Sequence, residues 1–430
     1  MTSQPTLSSR RLLFYTLYLA YIAAGVISIL PGPTLPLLAA HTGVSLAQVS
    51  WIFTGSATGF TLGALLAGIL GKWLSPKTAL MIGLTLMGVT GLATPLTHSF
   101  PILLVSQFTK GVGFGLLDVS INILTALAFH DTLSESLNGL HSSFGIGSLV
   151  APLLLSATLT IAHDFTWAYL AGSIAALACV ALLVRQRTPR SVPASTSGAG
   201  ASNQAGGQQR SAARGPSRSI LWQLLLWLMA LEFFLYIACE VGFSNWIVTA
   251  VSVSASISLA LAAPAATAFW LGLTASRLIS TQVLKRGLLS EMQLLYVCIA
   301  GGGASGLLVA FFPGQLFVAF VVSALFGFFL GPLYPVLTAI ASRWFVHALN
   351  TISGVLLVSC GISGMIFPVL MGVLLTSAGT SWAMAIPPLA CLLMTVPLSL
   401  ATRQQRLTLQ LRRQENTIEE TPPLPSIGHQ

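Results

Sequence analysis

Long apolar runs separated by short polar breaks recur along the whole chain. Such runs occupy about 12–39, 46–70, 78–97, 100–128, 138–161, 166–184, 220–248, 255–283, 292–312, 315–342, 351–377 and 381–401. Each is long enough to cross a hydrocarbon core of roughly 30 Å. Lipid offers no partners to backbone polar groups, so the runs read as helices and not as open strands. The expected fold is an all-α membrane protein of twelve transmembrane helices. Two stretches break the pattern. Residues 186–219 are rich in Ser, Gly, Ala and Gln and carry five Arg and no acid. Such a composition cannot bury a core and predicts a disordered linker. From Arg403 the chain is polar and ends in a Pro-rich stretch, which predicts a mobile tail. The expected organisation is a six-helix unit over 1–185, the linker 186–219, a second unit over 220–402 and a tail over 403–430.

The two units repeat one another. Tyr21-Ile-Ala-Ala-Gly25-Val26 recurs as Tyr236-Ile-Ala-Cys-Glu240-Val241, and Phe60-Thr-Leu-Gly63 as Phe269-Trp-Leu-Gly272. Thr90-Gly-Leu92 recurs as Ser305-Gly-Leu307, and Gly145-Ile146 with Pro152 as Gly361-Ile362 with Pro368. The offsets are 215, 209, 215 and 216. Four short matches in order at a nearly constant offset imply two pseudo-symmetric six-helix bundles. Many membrane carriers are built this way, with the substrate handled where the repeats meet.

Charge refines this picture. Only 7% of residues are charged, against about 25% in a soluble chain. With the N-terminus in the cytoplasm, every one of the 19 Lys and Arg except Lys110 and Arg277 falls on the inner side. That is the positive-inside bias. It places both termini in the cytoplasm, and the chain is expected in the plasma membrane (cell inner membrane). The net charge of +9 therefore reads as topology. Nucleic-acid binding is disfavoured because the charges are scattered over separate loops. Ser9-Arg10-Arg11 reads as an anchor for the first helix, since the run behind it is too long for a signal core. The cysteines Cys179, Cys239, Cys298, Cys360 and Cys391 all lie in apolar runs and show no metal-ligand spacing. No phosphate-cradling loop and no nucleophile–base order stands out, so neither an enzyme nor a cofactor is expected.

Several segments carry a family resemblance. They are Gly111-Val-Gly-Phe-Gly115-Leu-Leu-Asp118-Val-Ser-Ile-Asn122, Leu137-Asn138-Gly-Leu-His141 through Gly147, Tyr236 through Trp246, and Phe269-Trp270-Leu-Gly272 leading to Ser276-Arg277-Leu278. With twelve helices, similar halves and a central linker, the chain resembles the major facilitator superfamily. Within it, these segments are similar to the fucose–proton symporters and their sodium–glucose-transporter-like relatives. The resemblance implies transport by alternating access, and it places an acid and an amide of the family on Asp118 and Asn122. Two departures stand out. The loop Gly68-Ile-Leu-Gly-Lys72-Trp-Leu-Ser-Pro-Lys77 lacks the acid usual in the superfamily, and Gly25 to Pro36 lacks the first-helix acid of the fucose–proton transporters.

Acids inside apolar helices face a partner or a watery cavity, because lipid penalises them. Three qualify: Asp118, Glu232 and Glu240. The spacing of Gly111, Gly115, Asp118 and Asn122 puts them on one helical face, where a carboxylate beside an amide suits sugar hydroxyls, a sodium ion or a proton. A purely structural carboxylate is the alternative. Glu240 stands where the first repeat has Gly25, so the repeat has gained a charge there, with Asn245 and Trp246 further along the helix. Asn138 and His141 are one turn apart, and His141 is either a proton sensor or a loop anchor. Lys110 is placed to neutralise a carboxylate. Arg277 reads first as an interfacial anchor and second as a gating pair. Trp270 and Tyr334 stand above the other aromatics, Tyr21, Trp51, Tyr236 and Trp246, as stacking platforms for a sugar. Gly331-Pro332-Leu-Tyr334-Pro335 marks a break in the tenth helix.

The reading is a secondary transporter, expected as a monomer in the bilayer, moving a small polar solute such as a monosaccharide by symport with H+ or Na+. The expected substrate residues are Asn122, Asn138, His141, Glu240, Asn245, Trp270 and Tyr334. The expected ion-coupling residues are Asp118, Lys110 and Glu232. An efflux carrier for amphipathic or cationic compounds is the alternative.

Overall fold

The computed structural model describes residues 7–129, 132–186, 224–312, 314–345 and 348–419. It holds twelve helices long and apolar enough to cross a membrane. In the first half they are α1 (Leu7–Ile29), α2 (Trp51–Leu70), α3 (Pro76–Ala93), α4 (Phe100–Ala128), α5 (Leu133–Ile161) and α6 (Thr166–Arg185). In the second they are α7 (Leu224–Ala255), α8 (Pro264–Lys285), α9 (Glu291–Phe311), α10, α11 (Leu349–Ser377) and α12. α10 is broken into Leu316–Leu330 and Leu333–Trp344, as Gly331-Pro332 predicts. α12 is likewise in two pieces, Thr380–Leu393 and Thr395–Glu419.

Local chemistry explains the boundaries. α1 stops at Ile29 because Pro31 and Pro33 follow. The single run expected over 12–39 is therefore α1, a turn and a short helix Leu35–Thr42, which ends on Gly43 in the left-handed region (φ 66°). Ser45 with Gln48 and Ser290 with Gln293 form capping boxes. Of the expected tail, residues 420–430 lie outside the described residues, and 403–419 continue α12 as helix. Their Leu, Gln and Arg residues are good helix formers, and the preceding turns supply the nucleus. Most of the linker 186–219 lies outside the described residues.

The halves share one packing scheme. α2 lies on α4, α1 on α5 and α3 on α6; correspondingly α8 lies on α10, α7 on α11 and α9 on α12. The repeat motifs form the tightest seams. A Cβ built on Gly63 would stand 2.2 Å from the Val112 carbonyl oxygen, and one on Gly272 would stand 2.0 Å from that of Ala324. Each glycine lets its helix touch backbone on the helix beside it. Long apolar side chains such as Leu65, Ile69, Phe311 and Phe317 remain exposed on the bundle surface, as lipid contact requires.

The halves meet across α2 with α11 and α5 with α8. The contacts gather away from the Arg-rich end. Thr54 Oγ1 donates to Met365 O at 2.6 Å, Ser156 Oγ to Ala260 O at 2.7 Å and Thr267 Oγ1 to Leu149 O at 3.2 Å. Gly32, just beyond α1, abuts Asn245 of α7. The far end is closed, and among the described residues no hydrogen bond spans the space between the halves at the Arg-rich end.

Candidate functional site

Residues from both halves converge on that space. From α1, Tyr21 donates its hydroxyl to Asp118 of α4. His141 of α5 packs its ring edge-on to Tyr21 at 5.8 Å and lies within electrostatic reach of Asp118. From α7, Tyr236 donates to Glu240 one turn on. The Arg277 guanidinium of α8 stands 3.9 Å from the Glu240 carboxylate and donates through Nε to Gly331 O, at the break in α10, at 3.3 Å. Tyr334, just past that break, sets its ring 5.4 Å from Tyr236. It is exposed, within electrostatic reach of Asp118, Glu240 and Arg277. Arg277 in turn acts on His141 across the divide. The result is one carboxylate from each half, each held by a tyrosine from the first helix of its own half.

Breaking α10 has a chemical purpose here. Pro332 and Pro335 have no N–H, so carbonyls before them lose helical donors. Gly331 O finds the Arg277 guanidinium instead. An exposed apolar crevice between α2 and α4, lined by Trp51, Thr54, Thr58, Leu104 and Phe108, lies on another face and holds none of these groups.

The expected residues are distributed unevenly. Asp118, His141, Glu240 and Tyr334 belong to the cluster, and Asn138 is exposed one turn from His141 at the open end. Asn122 is buried and spends its amide N–H on the Asp118 main-chain oxygen at 2.7 Å. That bond ties the amide to the carbonyl four residues back on its own helix, on the face it shares with Asp118. Asn245 is half-buried at the closed far contact with Gly32. Trp270 is buried edge-on against Phe269 with its Nε1 unpartnered. Glu232 is fully buried between α7 and α12, and neither carboxylate oxygen has a partner. The nearby Leu398 N–H is committed to Met394 O. Lys110 does not neutralise Asp118. No carboxylate among the described residues pairs with it, since eight residues of helix separate the two by about 12 Å.

Three members of the cluster were undervalued in the sequence. Tyr21 and Tyr236 sit at equivalent repeat positions, a signal that they share a task. Arg277 faces the site instead of anchoring at the membrane surface. The acid-free loop after α2 also finds its partners. Lys77 Nζ donates to Gln186 O at 2.6 Å and Val184 O at 3.5 Å, capping the end of α6 where a carboxylate pairing is missing.

A model of the Major Facilitator Superfamily matches residues 17–320. The chain belongs to the major facilitator superfamily. Among known superfamily folds, it superposes on a bacterial homolog of the human lysosomal transporter Spinster with a TM-score of 0.70 at 12% identity, covering 94% of this chain and 98% of that one. The fucose:proton symporter FucP of E. coli gives 0.60 at 18% identity, covering 91% and 99%. Both likenesses speak to the fold. By sequence the chain is 33% identical over 137 residues to sodium-dependent glucose transporter 1 of Rattus norvegicus, and 28% identical over 148 residues to the glucose/mannose transporter GlcP of Bacillus subtilis. Those stretches are 31% and 34% of this chain and only 28% and 37% of the two relatives. The protein is a multi-pass membrane transporter of this superfamily.

Proposed function

We propose that this transporter moves a monosaccharide or similar polyol by cation-coupled symport, with the two halves rocking around the cluster. One observation carries the reading: two carboxylates, one per half, face the same space midway along the helices, each with a fixed tyrosine donor. Relatives that are sugar transporters by name support the substrate class. The two carboxylates divide the labour. Glu240 has a permanent cation in Arg277 and stays available to accept hydrogen bonds from sugar hydroxyls. Asp118 has no fixed cation. Its neighbours are a hydroxyl and the titratable His141, so its charge is free to be balanced by the coupling ion. Tyr334 offers a ring face to the sugar, and Asn138 and His141 line the open end. The ion is a proton, because one acid with a histidine suffices for it and sodium needs further oxygens around the site. The Arg-rich end is cytoplasmic by the positive-inside bias, which makes the present conformation inward-open, in the plasma membrane, as a monomer.

The test is uptake into proteoliposomes of radiolabelled D-glucose, D-mannose and L-fucose under an imposed proton or sodium gradient. Accumulation driven by the proton gradient and abolished by an uncoupler is expected. Accumulation that needs sodium and ignores the uncoupler overturns the proton assignment. Proton-driven extrusion of amphipathic cations without sugar uptake overturns the symport reading.

A further inference from the structure

α4 carries a ladder of three residues at four-residue spacing, Lys110, Phe114 and Asp118. Such spacing places them on one face, each a turn beyond the last. Asp118 belongs to the open cavity. The Phe114 ring stacks on Phe144 of α5 at 5.6 Å and lies 5.3 Å from Phe60 of α2, and Phe144 lies 5.3 Å from Tyr21. These rings form an aromatic layer across the first half at the height of Phe114. Lys110 lies on the other side of that layer, in the closed far part of the molecule, and is 5% exposed. Cα–Cβ bonds tilt toward a helix's N-terminus. The N-terminus of α4 is at the far end, so the Lys110 stem leads away from Asp118.

The surroundings of Lys110 hold no counter-charge. No hydrogen bond or ion pair to it exists among the described residues. α3 and the loop before it bring Lys77 and Lys72, both at the Arg-rich end; α1 brings Arg10 and Arg11 in its first turns at that same end, and Tyr21, whose hydroxyl is committed to Asp118; α5 brings Glu135 in its first turn, also at that end, and His141, beyond the aromatic layer. The turn Thr94–Leu96 is uncharged. An ammonium on a side chain only 5% exposed, with no counter-ion beside it, is disfavoured. Yet an acceptor waits nearby: Gln107, one turn outward and 1% exposed, leaves Oε1 without a donor.

We propose that Lys110 is a proton-binding site that gates the far side of the transporter: a neutral amine while that side is closed, an ammonium once it opens. The step is simple. On opening, the amine lone pair takes a proton from far-side water and one N–H bond forms. On closing, the same bond breaks and the proton returns to that water. Lys110 thus sets how far-side acidity biases the conformational equilibrium, without itself carrying a proton across. The proposal rests on the alternating-access reading and is independent of whether protons or sodium drive transport.

Ser50 reports the gate. It is fully buried, its Oγ standing 2.7 Å from where a Cβ on Gly372 of α11 would lie. Ser50→Cys is nearly isosteric, so its labelling by a membrane-impermeant maleimide, corrected for the same protein lacking S50C, measures opening. Comparing Lys110, Lys110→Met and Lys110→Arg at the same pH cancels the maleimide's own pH dependence. It also cancels the stacked pair His41 and His98, 5.4 Å apart at the far mouth. With Lys110, one proton is bound per opening, so labelling relative to K110M rises on the order of tenfold per pH unit as pH falls from about 8 to about 6. K110M stays protected at both, and K110R, which cannot lose its charge, labels fast at both. A purely structural lysine predicts the reverse, with K110R like the native protein and K110M disturbed. K110M following the native pH response, or K110R staying protected, overturns the proposal. Should K110R fail to give a monodisperse chromatographic peak, the K110M comparison decides alone. Failure of S50C to label in any variant or condition, while sugar exchange persists, would instead count against the alternating-access reading.

Discussion

The two halves are alike in their seams and reciprocal in their charges. The Cβ positions of Gly115 and Gly327 abut the carbonyls of Phe60 and Phe269 in the same way, which aligns α4 with α10. On that alignment Asp118 corresponds to Leu330 and Lys110 to Val322. By the sequence repeats Glu240 corresponds to Gly25, Arg277 to Gly68 and His141 to Leu357. Each half therefore places its ionisable groups where the other has glycine or an aliphatic residue. Only the tyrosines Tyr21 and Tyr236 are shared, and each serves its own carboxylate. The lesson is that the repeat preserves what lets the helices pack. The chemistry lives in the departures from it, as binding an asymmetric solute requires.

The largest expected effect breaks this reciprocity at its ion-coupling end. Asp118→Asn removes the charge and keeps the shape, so gradient-driven accumulation is lost while downhill sugar exchange and folding persist. Accumulation at the native level in that variant would show that the first half's acid does not couple. Next comes the fixed pair of the second half. Arg277→Gln leaves Glu240 as an unbalanced carboxylate, and the KM for sugar rises on the order of tenfold, in line with about 1–3 kcal/mol for a disrupted charged pair. Adding Glu240→Gln to Arg277→Gln should cause less loss than the two single effects summed. A double-mutant cycle in uptake measures that coupling, and strict additivity refutes the pairing.

The seams are predicted to respond alike. Gly63→Ala and Gly272→Ala each force a methyl onto a backbone carbonyl, and overpacking of this kind costs about 1–3 kcal/mol. Both should lower the thermal midpoint in detergent by a similar amount, whereas a drop in only one would break the structural equivalence. Smaller still are the tyrosine hydroxyls. Tyr21→Phe should alter the ion dependence of transport and Tyr236→Phe the KM, each by several-fold, because water filling the site takes over part of the about 1.5–3 kcal/mol that a hydrogen bond to a charged group contributes. Identical phenotypes would dissolve the proposed division of labour. Smallest is the surface pair of Arg343 with Glu291. Exposed pairs contribute about 0–1 kcal/mol, so Glu291→Gln should leave stability and uptake within error.

Much of the architecture was legible because hydrophobic length and periodicity act locally. A run long enough to span lipid has no other way to satisfy its backbone, and Pro and Gly announce the breaks after Ile29 and at Gly331 wherever they fall. Lys and Arg give the expected helix directions in the same local way, and the repeat motifs contain glycines that the structure uses as seams. The continuation of α12 to Glu419 was less legible, since composition alone does not say whether a polar stretch extends a helix already nucleated.

The site divided along the same line. Asp118 and Glu240 stood out by themselves, because a carboxylate in an apolar run demands an explanation wherever the chain goes. Their partners did not. Whether Tyr21 reaches Asp118, 97 residues away, depends on how α1 lies against α4, and no spacing within one helix encodes that. Arg277 read as a surface anchor until the break in α10 supplied Gly331 O and α7 supplied Glu240. Lys110 shares a helical face with Asp118, yet an aromatic layer drawn from other helices separates them. Sequence by itself determined the lipid-spanning elements, their polarity and which residues were chemically out of place. The tertiary structure alone decided which of those residues share a compartment, because electrostatic and hydrogen-bond partnerships act over a few ångströms between helices far apart in the chain.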